Sequence, residues 1–524
     1  MTASTSTLVR YIDASAARFP DRVAVIDSFG QTLTYAQLNE RAARVAAYLQ
    51  QHGVQPGDRV GIVMRKSATG LTALLGVMKA GAAYVPADYS SPAERNLRIL
   101  TDCGVRVAFL DSACVDIADG ADGGFHPVLV PPPQAVPIQG HQSWVDVLAT
   151  TAPFTPVEIK TTDLAYILYT SGSTGVPKGV MLTHENATSF VDWCSSVFHP
   201  TEHDRFSSHA PFHFDLSVLD IYVSLKHGAT LFIVGEEIGK SPKELAQFIA
   251  THQLTIWYST PSILALLSQF GNLSALDCRS LRLVLFAGEV FPVKHLRALK
   301  QIWPDPVYYN LYGPTETNVC TFARIPDAID EDRTEPYPIG PACAHCRPLV
   351  LDGDREVAMG EAGLLYMTGP SIFQGYWNRP VENAAAFIEH GGIRWYNTGD
   401  VVRETSGDGF IYLGRRDRMV KRRGYRIELG EIESALYRHE QIREAAVIAV
   451  PDDASGVRVI AHLTMRGAER PSIIAMKTFC AAQLPPYMSP DAFVFHEALP
   501  RTSTDKIDYQ SLKRTGAAAP AEVK

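Results

Sequence analysis

The chain has 524 residues, a net charge of −8, 46% hydrophobic residues and 20% charged ones. That length exceeds what one hydrophobic core holds, so at least two domains are expected. The acidic balance argues against a nucleic-acid or anionic-membrane binder, since both need a basic surface, and no apolar run of about 18 residues marks a membrane span. The first residues, Met-Thr-Ala-Ser-Thr-Ser-Thr, lack the regions of a secretory signal. The 8 cysteines are scattered, which fits reduced thiols and a cytoplasmic location better than a disulfide framework. Cys343 and Cys346 flank His345 in a Cys-x-x-Cys with no second ligand pair, so incidental cysteines are expected there.

In chain order, 22–27 reads as a strand. Residues 35–53 read as an amphipathic helix carrying Leu38, Ala42, Val45 and Leu49. Then come a strand at 60–64, a helix at 70–81 closed by Gly81, and strands at 83–86 and 106–111. This alternation predicts α/β layers with mainly parallel strands. Residues 116–142, rich in Gly and Pro, read as a surface loop. A second α/β set spans 164 to about 325, with strands at 231–234, 255–258 and 282–286. Residues 349–413 read as a small β-rich subdomain of short strands and Gly turns. A basic segment, 414–424, precedes a compact α+β unit. That unit has a helix near 431–438, strands near 445–450 and 458–465, a helix near 472–483 and a strand near 492–496. The tail 516–524 is expected to be disordered.

One loop carries recognisable chemistry. The apolar strand Asp163-Leu-Ala-Tyr-Ile-Leu-Tyr169 runs into Thr170-Ser-Gly-Ser-Thr-Gly-Val-Pro-Lys-Gly179. Glycines let backbone N–H groups approach an anion, hydroxyls donate hydrogen bonds, and Lys178 adds charge, which together suit a polyphosphate. It is not a P-loop, because Pro177 stands where that motif needs its second Gly.

The loop resembles the phosphate loop of the adenylate-forming superfamily, and the likeness covers nearly the whole chain. Further motifs follow in the family's order: Asn310-Leu-Tyr-Gly-Pro-Thr-Glu-Thr317, Tyr396-Asn-Thr-Gly-Asp400, Gly414-Arg-Arg-Asp-Arg-Met-Val-Lys421, the lid-loop motif from Lys421 to Glu431, and Leu499-Pro-Arg-Thr-Ser-Thr-Asp-Lys506. The resemblance implies a large N-terminal part, 1–416, of two α/β layered subdomains plus a small β-rich one. A small mobile α+β lid, 417–524, would follow. It implies ATP and Mg²⁺. Thr170, Ser171, Gly172, Ser173, Thr174, Gly175 and Lys178 would hold the phosphates. Tyr312 would stack on adenine and Asn310 bond its amino group. Thr315 would contact phosphate and Glu316 hold Mg²⁺. Asp400 would take the ribose hydroxyls, and Arg415 would lie near them. Gly288, Glu289, Leu311, Gly313 and Tyr412 belong to the same nucleotide set. Asp417 is the expected hinge, and Lys506 the catalytic cation between the α-phosphate and the attacking carboxylate. Asp505 departs from the family's usual Gly.

Ala210-Pro-Phe-His-Phe-Asp-Leu-Ser-Val-Leu219 bears on the acid. Amino-acid-activating members place a carboxylate at Asp215 for the substrate's α-ammonium, whereas fatty or aryl acids have no use for a buried charge there. The other reading is a plain strand with Asp215 facing solvent. By alignment the pocket would be lined by Asp215, Leu216, Leu219, Tyr258, Leu285, Ala287, Leu311, Val319 and Cys320. That lining disfavours polar side chains, and Tyr258 takes the volume that Phe or Trp would need. Physical reasoning leaves Ala, Val and Pro; the residue set resembles that of L-proline-activating domains. The short tail after Lys506 leaves no room for a carrier domain, so a separate phosphopantetheinylated carrier protein is the expected acceptor. The rivals are a ligase for D-alanine or L-alanine, an acyl-CoA synthetase and an inactive homologue acting as a scaffold.

Overall fold

The structure is a computed structural model, and it describes residues 6–131, 141–172, 176–452, 456–467, 470–501 and 507–517. It falls into two compact units. The first comprises Met1–Tyr89, Asn96–Tyr169 and Gly179–Gly414. The second comprises Ser90–Arg95, Thr170–Lys178 and Arg415–Lys524.

Among the described residues the first unit is built on three sheets, two of them eight-stranded. One of these runs in the order Thr321–Arg324, Val307–Tyr312, Leu283–Ala287, Ile256–Ser259, Arg205–Ser208, Thr230–Ile233, Val23–Asp27, Thr32–Thr34. Its interior is parallel and only its two edge strands run antiparallel. The other runs Gly375–Tyr376, Lys178–Thr183, Leu164–Thr170, Ala83–Pro86, Arg59–Val63, Val107–Asp111, His126–Val130, Gln142–Ser143. Interior parallel strands are covered on both faces and so read as unbroken apolar runs, as Val107-Ala-Phe-Leu does. The third sheet is antiparallel and gathers Arg347–Asp352, Ala362–Thr368, Ile393–Thr405 and their neighbours. The fold is therefore the expected α/β arrangement with a small β-rich part.

Local signals start the helices where the sequence places them. Thr34 and Gln37 form a reciprocal cap on Tyr35–Gln51, and the Ser67 side chain caps Ala68–Lys79. The segment 116–142 needs correction. It holds a short helix, Val115–Asp119, and the strand His126–Val130, which pairs in parallel register with Val107–Asp111. Val128, Leu129 and Val130 are buried, so a short β-branched run outweighs the Gly and Pro around it. Residues 132–140 of that segment lie outside the described part.

The second unit has a two-stranded ribbon, Met419–Arg422 with Tyr425–Glu428, and a three-stranded sheet among its described residues. That sheet pairs Ile442–Asp452 antiparallel with Gly456–Met465, which pairs parallel with Ala492–His496. Helices Leu429–Leu436 and Ile473–Gln483 supply apolar side chains to its core. Of the tail expected to be disordered, 516 and 517 close the helix Tyr509–Ala517, and 518–524 lie outside the described residues. Among the described residues no helix is long and apolar enough to cross a membrane.

Candidate active site

Three adjacent parallel strands of the first unit set the site. Tyr258 is in register with Leu285, and Ala287 with Leu311. Side chains alternate along a strand, so Tyr258, Leu285, Ala287 and Leu311 share one face. Their neighbours Trp257, Val284 and Phe286 turn to a separate core on the other. Leu216, Leu219 and Val319 join the same cluster as the first four. Cys320 is buried beside it in the core under the third sheet. Of the expected amino-acid residues, seven thus meet in one buried apolar cluster.

Asp215 lies in a chain of turns, not a strand. Phe214 N–H donates to the Pro211 carbonyl, and Val218 N–H to the Asp215 carbonyl at 3.1 Å. The segment then enters a π-helical turn, Leu219–Val223. Burial pushes the Tyr258 hydroxyl well up, and the carboxylates of Asp215 and Asp220 add to the effect. The plain-strand alternative for this segment is therefore set aside.

Several residues expected to hold the nucleotide lie in the same unit, with polar partners of their own. Tyr312 ends the Val307–Tyr312 strand, and its hydroxyl donates to Asp400 Oδ2. Tyr412 stands at 6.3 Å between ring centroids from Tyr312. Asn310 Nδ2 donates to the Pro338 carbonyl at 2.9 Å, which turns the amide's Oδ1 to the opposite side. Gly313 begins a tight loop: a Cβ there would fall 1.6 Å from the Asn318 carbonyl oxygen. The loop carries Thr315 and Glu316 and returns so that Cys320 N–H reaches the Tyr312 carbonyl at 2.8 Å. Glu316 is 0% exposed. Gly288 and Glu289 follow the Leu283–Ala287 strand, and the Glu289 carboxylate accepts from the backbone and hydroxyl of Ser262, near the start of the helix Pro261–Phe270.

One of these partners had no sequence signal. The Tyr376 hydroxyl donates to Glu316 Oε1 at 2.7 Å. Tyr376 belongs to a two-residue strand that pairs with Val180 and Met181, in the strand that follows the phosphate loop. The Glu316 carbonyl accepts from Phe373 N–H at 2.9 Å. A buried carboxylate held by a neutral hydroxyl keeps acceptor capacity for a cation. Among the described residues no group of three His, Cys, Asp or Glu could hold a metal by itself.

The second unit holds the remaining motif residues. Thr170, Ser171, Gly172 and Lys178 belong to it, and Ser171 Oγ donates to the Arg426 carbonyl at 2.7 Å. Arg415 grips Asp417 through two hydrogen bonds of 2.7 Å. Burial raises the Asp417 carboxyl, but that grip outweighs it and leaves the group below its ordinary value. Ser173, Thr174, Gly175, Asp505 and Lys506 lie outside the described residues. Cys343 and Cys346 are buried free thiols. His345, between them in sequence, is buried and packs against the rings of Phe190 and Trp193, as a core side chain does.

Residues 12–377 match the family described as AMP-binding enzyme, and 431–506 match the AMP-binding enzyme C-terminal domain. The chain belongs to the AMP-binding enzyme family. Among its relatives is an L-proline–[L-prolyl-carrier protein] ligase of Pseudomonas fluorescens, 40% identical, over 95% of this chain and 97% of that protein. A Streptomyces coelicolor protein of the same description is 38% identical over 99% of each. Among solved structures, the Vibrio cholerae adenylation domain AlmE, in complex with glycyl-adenosine-5'-phosphate, superposes with a TM-score of 0.82. It is 26% identical and covers 99% of each chain. Holo-PA1221, an NRPS protein containing adenylation and PCP domains, gives 0.79 at 27% identity over 98% of this chain and 84% of that one. In this AMP-binding enzyme, then, one face of the sheet carries a buried apolar cluster, and the loop that follows Tyr312 carries a buried carboxylate held by a tyrosine hydroxyl.

Proposed function

We propose that this enzyme activates L-proline as prolyl-adenylate and passes it to the phosphopantetheine thiol of a separate carrier protein. One observation carries the reading. The only ionisable groups among the expected amino-acid residues of the first unit are Asp215, the Tyr258 hydroxyl and the Cys320 thiol, and the rest are aliphatic. A compact aliphatic ring bearing an ammonium answers that chemistry. Two relatives that match nearly end to end are described as ligases of this kind.

In the first half-reaction a proline carboxylate oxygen attacks the α-phosphorus of ATP. The bond from that phosphorus to the bridging oxygen breaks, and pyrophosphate leaves. Asp215 holds the ammonium and aims the carboxylate. Thr170, Ser171, Gly172, Ser173, Thr174, Gly175 and Lys178 hold the departing phosphates, and Thr315 contacts phosphate. Asn310 reads the adenine amino group, Tyr312 and Tyr412 flank the base, and Asp400 and Arg415 hold the ribose side. Glu316 fits Mg²⁺, a hard cation that takes one carboxylate and fills its remaining positions with phosphate oxygens and water; when bound, the ion neutralises phosphate charge. Lys506 stabilises the charge shared by carboxylate and α-phosphate. In the second half-reaction the carrier thiolate attacks the adenylate carbonyl and AMP leaves. Residues 1–416 act as the core, and 417–524 as a lid pivoting at Asp417 between the half-reactions. The free thiols of all 8 cysteines support a reducing, cytoplasmic setting.

The acceptor is tested by incubating enzyme, ATP and radiolabelled proline with either a phosphopantetheinylated carrier protein or coenzyme A. Label on the carrier, as a base-labile thioester, is the expected result. Label on coenzyme A alone would make the enzyme an acyl-CoA synthetase instead.

A further inference from the structure

A second set of buried charges lies in the first unit, outside the nucleotide and amino-acid residues. Lys66 immediately precedes Ser67, the cap of the helix Ala68–Lys79, and is buried. Its Nζ donates to the Ser208 carbonyl at 2.7 Å and to the His209 carbonyl at 2.6 Å. Ser208 ends the strand Arg205–Ser208, so these carbonyls stand where the chain enters 210–219. Asp220 stands where it leaves. It is 0% exposed and lies within the π-helical turn Leu219–Val223. Neither of its carboxylate oxygens has a hydrogen-bond partner among the described residues.

The two groups answer each other electrostatically. Burial pushes the Lys66 ammonium down to about 7, against the pull of Asp220 and then of Glu236. Burial pushes the Asp220 carboxyl well up, and Lys66 opposes that. Glu236 is itself held by the Tyr89 hydroxyl, and burial, with the same ammonium adding to it, pushes the His209 ring down to about 3. Tyr258 lies within electrostatic reach of both Asp215 and Asp220.

A lone carboxyl in an apolar interior is costly, and its replacement by an aliphatic side chain is often neutral or stabilising. A π-helical turn is rare and is frequently found at functional sites. A costly acid inside an uncommon turn, within electrostatic reach of a lysine that grips the start of the same segment, is poorly accounted for by stability. We propose that Lys66 and Asp220 are positioning residues for substrate: they fix the entry and exit of 210–219, so that Asp215, Leu216 and Leu219 present one surface to the amino acid. Collapse of the turn to an α-helix would rotate Leu219 relative to Leu216 and change the shape of the pocket. The inference rests on the reading that 210–219 lines the amino-acid site.

The test uses the full-length enzyme and amino-acid-dependent ATP–pyrophosphate exchange, with proline and ATP varied in turn. Four variants are compared with the parent: Asp220→Asn, Lys66→Met, the double Lys66→Met with Asp220→Leu, and Asp215→Ala. Asp220→Asn and the double variant are expected to raise KM for proline about ten-fold or more while KM for ATP stays within about two-fold. Their preference for proline over alanine should narrow as well. Because the double variant removes both charges, its melting temperature should stay near the parent's. A raised proline KM at that stability separates positioning from general damage, and the double variant decides the matter if Asp220→Asn does not fold. An unchanged proline KM in the double variant, or proline and ATP KM rising in step, would overturn the proposal. Asp215→Ala guards the underlying reading. If it leaves the proline KM intact, the pocket assignment fails; if it abolishes proline activity while the double variant is normal, only the positioning role fails.

Discussion

Tyr376 reaches Glu316 across 60 positions of sequence, and the hydrogen bond ends on the carboxylate proposed to hold Mg²⁺. Removing the hydroxyl leaves a buried carboxylate with one donor fewer, a loss of about 1–3 kcal/mol in comparable cases. Tyr376→Phe should therefore raise the Mg²⁺ concentration needed for half-maximal exchange several-fold, with the KM for proline little changed. A magnesium titration of the variant checks this, and an unaltered titration would show that the loop Gly313–Asn318 holds Glu316 unaided. Sequence motifs single out Asp215, Glu316 and Asp400 as candidates because each belongs to a run of linked residue types. Tyr376 carries no such signal, since a lone Tyr after Gly is ordinary. Lys66 and Asp220 did leave one: an acid inside the apolar run Val-Leu-Asp-Ile-Tyr-Val. Its meaning depends on a lysine far away in the chain, which spacing alone does not pair with it.

At the scale of elements, the helices and strands read from periodicity lie mostly within about two residues of their observed bounds, because buried interior strands read as unbroken apolar runs and capped helices announce their starts. It failed where a short strand hides among Gly and Pro, as His126–Val130 does, and it had no means of showing the π-helical turn. The contact between Tyr35–Gln51 and Ala68–Lys79 is set by a glycine: a Cβ on Gly76 would lie 2.4 Å from Val45 Cβ and 2.9 Å from the Ala42 carbonyl oxygen. Gly76→Ala overpacks that contact, and overpacking costs about 1–3 kcal/mol. Its melting temperature should fall by several degrees while the KM values of the folded enzyme hold. A variant as stable as the parent would mean that the helices separate freely. Gly313→Ala behaves differently, because its Cβ meets backbone inside the site; exchange activity is expected to collapse, with the loss read in kcat.

At the scale of the whole molecule, the order of motifs along the chain made the α/β class and the small C-terminal unit legible. The substrate rests on residues from several strands that only folding brings together, so it was legible through resemblance and not through spacing. Lys506→Ala should abolish pyrophosphate exchange yet spare thioester formation from supplied prolyl-adenylate, since only the first step gathers charge on the α-phosphate. Loss of both steps would give Lys506 a structural role. The most direct measurement is ATP–pyrophosphate exchange with each of the twenty amino acids at one concentration. The expected result is exchange with L-proline well above every other amino acid, abolished by Asp215→Ala. Preference for alanine, or exchange indifferent to the amino acid supplied, would contradict the assignment of the pocket and with it the proposed function.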